Sequence, residues 1–131
     1  MKTKLLKTAE DRAFAIAKAA SDIKALNIVI CDVRGVAGFT DFLVLASGSS
    51  DRQVRAISDN IQRDLKELGE RPNGVEGEQN AHWILVDYSD VVVHVFHQEE
   101  RAFYQLEKLW SDAKLTEYRD EPVLKKASGA K

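Results

Sequence analysis

The stretch HWILVDYSDVVVHVFHQEER, residues 82–101, constrains the fold more than any other part of the chain. It reads as two strands, residues 83–87 and 91–96, joined by a tight turn at Tyr88, Ser89 and Asp90. Side chains alternate across a strand, so Trp83, Leu85 and Asp87 share one side while Ile84, Val86 and Tyr88 share the other. In the second strand Val91, Val93 and Val95 oppose Val92, His94 and Phe96. Both faces are apolar. Such a hairpin cannot leave one face to water: it is layered on both sides, or it keeps one side for a partner.

The rest of the chain supplies the layers. From Thr8, a good N-cap, an Ala-rich segment places Phe14, Ile16, Ala17, Ala20 and Ile23 near one helical face, with Asn27 as its end. The runs at 28–33 and 42–46 are buried strands on either side of the loop RGVAGFTD, which suggests an antiparallel pair. Ser50 with Gln53 forms a capping box, and Val54, Ile57, Ile61, Leu65 and Leu68 make one stripe that Gly69 terminates. Between this helix and the hairpin there is room for one short edge strand around Val75. From Glu99 a third helix is expected, with Phe103, Leu106, Leu109 and Trp110 on one side. The expected fold is therefore α/β (α+β): a single domain over residues 1–116 with a mixed four- or five-stranded sheet and three helices, followed by a flexible tail over 117–131. Three helices cover one face of that sheet well but not both, which predicts an exposed apolar patch.

Chemistry is hard to find in these residues. The 131-residue chain carries 19 Lys and Arg against 21 Asp and Glu, a net charge of −2, without the basic excess that phosphate contacts require. No apolar run reaches the ~18 residues that span a bilayer, and the basic N-terminus soon turns acidic, so neither a membrane nor a targeting role is expected. His94 and His97 stand three apart in a strand and point to opposite faces, which excludes a shared metal. The single cysteine, Cys31, lies mid-strand and reads as a buried thiol in a reducing compartment. The small-residue turn of Ser47, Gly48, Ser49 and Ser50 before a helix suits a phosphate, so a nucleotide-binding or nucleotidyltransferase-like enzyme is one reading. That chemistry also needs converging carboxylates, and no Asp-x-Asp pair occurs. A binding surface is the other reading, since Trp and Tyr at the margin of an apolar face are the side chains most enriched in interface hot spots.

Three blocks in order, TDFLVLASGSSDRQVRAISDNI, EGEQNAHWILVDYSDVVVHVF and RAFYQLEKLW, resemble the ribosomal silencing factor S (Iojap) family over residues 20–113. The resemblance implies an architecture similar to nucleotidyltransferases but without catalytic carboxylates, no enzymatic activity and no cofactor. It implies binding to the large ribosomal subunit through its L-fourteen protein, which prevents the small subunit from joining and represses translation under nutrient limitation. Ribosomal-protein contact is carried over to Trp83, Ile84, Leu85, Asp87 and Tyr88, with Trp83, Leu85 and Asp87 preferred because they share a face. Contact with rRNA would be peripheral at most, and a homodimer off the ribosome is one way to hide an apolar patch. Organellar relatives carry N-terminal extensions, so a bacterial cytoplasmic protein is expected. Ser89 stands where a glycine is common in the family; if the turn needs positive φ, serine costs on the order of 1 kcal/mol there.

Overall fold

The computed structural model describes residues 6–99 and 113–119. Thr8 opens α1 (Ala9–Asp22): its hydroxyl accepts the Asp11 N–H at 3.0 Å, and Glu10 and Asp11 sit at the positive end of the helix dipole. The helix stops short of Asn27 because Lys24 takes φ 64°, and the N–H groups of Lys24 and Ala25 close back onto the carbonyls of Ser21 and Ala20. Its buried face is Ala13, Ile16, Ala17, Ala19 and Ala20. Phe14, expected on that face, is instead 40% exposed, its ring 6.4 Å from that of Tyr118.

β1 (Leu26–Asp32) and β2 (Phe42–Gly48) form the antiparallel pair that their sequences suggest. Ser50 then caps α2 (Asp51–Glu67), its hydroxyl accepting the Gln53 N–H at 3.1 Å. Gly69 follows the last turn at φ 92°, a conformation that costs glycine little. The short edge strand around Val75 is β3 (Gly74–Glu76), and the hairpin is β4 (Trp83–Asp87) and β5 (Val91–His97). The sheet has a sixth strand, β6 (Lys114–Glu117), and runs β3-β4-β5-β2-β1-β6, with only the central β2 and β5 parallel. Six strands replace the expected four or five. All four β6 residues are exposed, so hydrophobic periodicity carries no trace of the strand; backbone pairing with β1 holds it. Tyr118, assigned by sequence to the tail, donates its N–H to the Ile28 carbonyl at 2.8 Å. Two long helices are present among the described residues. The third expected helix lies outside them beyond Glu99, as does the tail from residue 120.

α1 and α2 pack on one face of the sheet, where Ile30, Val44, Ile57, Ile61, Ile84 and Val93 belong to one buried cluster. Asn60 of α2 ties the helices together through a 2.9 Å bond from its amide to the Ala19 carbonyl. The opposite face holds a second cluster: Cys31, Val33, Leu43, Leu45, Val92 and Phe96 are buried there, with Trp83 and Leu85 half-buried beside them. This corrects the expectation of a bare apolar face. The central strands pack on both sides, and the exposed large apolar side chains among the described residues, Phe14, Leu26, Val36, Phe39 and Leu115, all lie off β2, β4 and β5.

Candidate docking site

The alternation of β4 divides the five candidate residues. Trp83, Leu85 and Asp87 are half-buried on the second face, whereas Ile84 is fully buried and Tyr88 is 6% exposed in the helix-covered cluster. Ile84 and Tyr88 therefore have almost no surface to offer, and burial pushes the Tyr88 phenol up, with Glu70 adding to the shift. Trp83 and Leu85 line a shallow cleft of about 300 Å3 with Glu76 and Gly77 of the neighbouring edge. Sequence reasoning did not place Glu76 and Gly77 in the site. Their signal was the Glu76–Gly77 pair that opens the block EGEQNAHWILVDYSDVVVHVF: Gly77 sits at φ 88°, and a Cβ there would stand 2.1 Å from the Trp83 carbonyl oxygen.

Register sets what lies behind the cleft. Leu85 pairs with His94, which pairs in turn with Leu45, while Trp83 pairs with Phe96. The Trp83 indole N–H donates to His94 Nδ1 at 3.0 Å, which requires that nitrogen to be unprotonated. Phe96 completes the group, its ring 5.1 Å from Trp83 and nearly parallel to His94 at 5.8 Å. Burial among these neighbours lowers the His94 pKa to about 4. His97 points to the other face, where its ring lies 6.4 Å from that of His82. Among the described residues no group of three His, Cys, Asp or Glu is placed to hold a metal ion.

The turn that closes the hairpin is braced from three directions. Asp87 accepts the Ser89 N–H at 2.7 Å, Ser89 takes φ 78°, and the Asn73 amide bonds the Ser89 hydroxyl. Asp90 and Glu70 both bind the guanidinium of Arg12 from α1, and Asp90 holds the Arg12 pKa above its usual value. The turn of Ser47, Gly48, Ser49 and Ser50 is occupied by its own side chains. Gln53 accepts the Ser49 N–H at 2.7 Å, Ser50 accepts the Gln53 N–H, and the Gln53 amide reaches the carbonyls of Ile23 and Lys24 at 3.1 Å. The N–H groups of Ser49 and Gln53 are thus already in use, and Asp51 adds a negative charge at the helix start.

A family profile described as "Ribosomal silencing factor during starvation" matches residues 6–131. The chain belongs to the ribosomal silencing factor family. Within that family, ribosomal silencing factor RsfS of Bacillus subtilis is 44% identical over 101 residues, covering 77% of this chain and 86% of that protein. RsfS of Halalkalibacterium halodurans is 42% identical over 99 residues, 76% of this chain and 85% of its own length. The chloroplastic protein Iojap of Zea mays is 39% identical over 103 residues, which span 77% of this chain but 44% of the plant protein. A crystal structure of a protein from Chromobacterium violaceum superposes with a TM-score of 0.78 at 31% identity, covering 88% of this chain and 92% of that one. One from Bacillus halodurans gives 0.73 at 37% identity, covering 83% and 99%. The silencing factor blocks read from the sequence thus include the strand, turn and helix elements that build the Trp83 cleft and the Ser50 cap.

Proposed function

We propose that this chain binds the large ribosomal subunit through its L-fourteen protein, blocks joining of the small subunit and so represses translation when nutrients are scarce. Membership of the silencing factor family along residues 6–131 is the observation that carries this reading. The geometry supports a binding role for the Trp83 and Leu85 edge: an aromatic and an aliphatic side chain, half-buried beside a cleft, with Asp87 and Glu76 as acidic neighbours. The contact is with protein, and rRNA is peripheral, because a chain of net charge −2 has no excess of cations for phosphate. The role is regulatory rather than enzymatic. The protein acts in the bacterial cytoplasm; among the described residues no helix is long and apolar enough to cross a membrane.

Sucrose-gradient sedimentation of separated ribosomal subunits tests the reading. Added protein should hold the subunits apart and travel with the large one; intact ribosomes forming as readily with it as without it would sink the proposal. Trp83→Ala should weaken large-subunit binding by roughly thirty-fold or more, the loss of one hot-spot aromatic. Light scattering of the free protein measures whether the same edge joins two copies off the ribosome.

A further inference from the structure

His94 is a polar ring in apolar company, between Leu45 and Leu85 on the neighbouring strands and parallel to Phe96 with 9° between their planes. Burying an imidazole there costs hydration, and the cost is offset when the ring is hydrogen-bonded. Its Nδ1 receives the Trp83 N–H, and the two rings stand 5.9 Å apart at 51°. Indole has one donor and no acceptor, so this bond fixes the ring at one end while Phe96 supports its face. Leucine or methionine at position 94 would fill the space without the desolvation cost but would remove the acceptor that fixes the indole N–H end.

We propose that His94 is a positioning residue for the docking edge: by accepting the indole N–H at Nδ1 it holds Trp83 at the wall of the cleft and commits its carbon surface, not its donor, to the partner. The partner group seated on Trp83 is therefore apolar. This inference rests on the docking reading of the Trp83 edge.

The test is a double-mutant cycle on binding of the full chain to purified bacterial large subunits. His94→Leu and Trp83→Phe should each weaken binding about ten-fold, and the double variant should lose little more than either, because both remove the same bond. His94→Asn, whose amide oxygen replaces Nδ1 as acceptor, should restore binding to within about three-fold of the parent. In the free protein the Trp83 indole N–H should be protected from solvent exchange, in the His94→Asn variant as well, and should exchange at least ~ten-fold faster in His94→Leu. If His94→Leu does not fold, His94→Met takes its place in the cycle. A loss near a hundred-fold in the double variant overturns the positioning role, as does an unprotected indole in the parent. Unchanged or tighter binding by His94→Leu overturns it too, since the partner would then be using the freed donor. Those outcomes, with the parent still binding, leave the docking reading standing; a folded parent that does not bind large subunits overturns both.

Discussion

The two faces of the sheet are built from the same strands but from different chemistry. Under α1 and α2 the face is aliphatic: Val44, Ile57, Ile61, Ile84 and Val93 are fully buried. The other face inserts a thiol, an imidazole and an indole among Leu43, Leu45 and Val92, and its outer strand is only half-buried at Trp83 and Leu85. The first face is what packing alone would select. Polar rings on the second give up hydration for hydrogen bonds that fix orientation, a feature expected of a surface that must present particular groups. On the docking reading proposed above, stability resides mainly on one side of β4 and recognition on the other, separated by one step of the strand's alternation.

The largest effect that could break this division comes from Ile84. Ile84→Ala removes a fully buried side chain from the helix-covered cluster and should cost about 3 kcal/mol of unfolding free energy, measured by urea denaturation. Its effect on large-subunit binding by the folded protein should be smaller than that of Trp83→Ala. The reverse ranking, with binding lost and stability kept, would mean that the faces have been assigned the wrong way round.

A pH series sharpens the contrast, because the titratable side chain in the helix-covered cluster, Tyr88, has its pKa pushed up by burial and stays neutral throughout the acidic range. His94 has a pKa of about 4 in the fold against 6.5 in the unfolded chain, so the fold favours the neutral ring. Above pH 6.5 both states are neutral and the stability is complete. As the pH falls from 6.5 toward 4 the unfolded chain takes up a proton that the fold refuses, and stability drops by roughly 2 to 3 kcal/mol in all. Denaturation midpoints of the parent should decline across that window, and those of His94→Asn should decline less. Parallel curves would show that the imidazole is not the titrating group.

Much of this architecture is legible in the sequence because its signals are local. Thr8 and Ser50 announce the helix starts, and alternation across residues 83–96 announces the hairpin and its two faces. What the sequence hides depends on distant partners or on backbone alone. β6 is exposed at every position and exists through pairing with β1. Arg12 and Asp90, 78 residues apart, meet only because α1 crosses the hairpin turn. The early end of α1 depends on Lys24 adopting a positive φ that its residue type does not advertise. Within the candidate site, the shared face of Trp83, Leu85 and Asp87 was legible from the alternation; His94 as the partner of Trp83 was not, because a diagonal contact across two strands appears only once the register is known.

The smallest effect concerns the turn where the chain passes from Asp87 on one face to Tyr88 on the other. Ser89 holds φ 78°, a conformation in which a Cβ is strained by on the order of 1 kcal/mol. Its hydroxyl also accepts a bond from the Asn73 amide, which ties the turn to the segment leading into β3. Ser89→Gly removes both the strain and that bond. An exposed hydrogen bond between neutral side chains contributes less than the relieved strain, and the added freedom of glycine in the unfolded chain cancels part of the gain. The variant should therefore be more stable by about 0.5 kcal/mol in urea denaturation. A loss of stability would show that the Asn73 tie outweighs the backbone strain, and would make the turn a fastening between β3 and the hairpin.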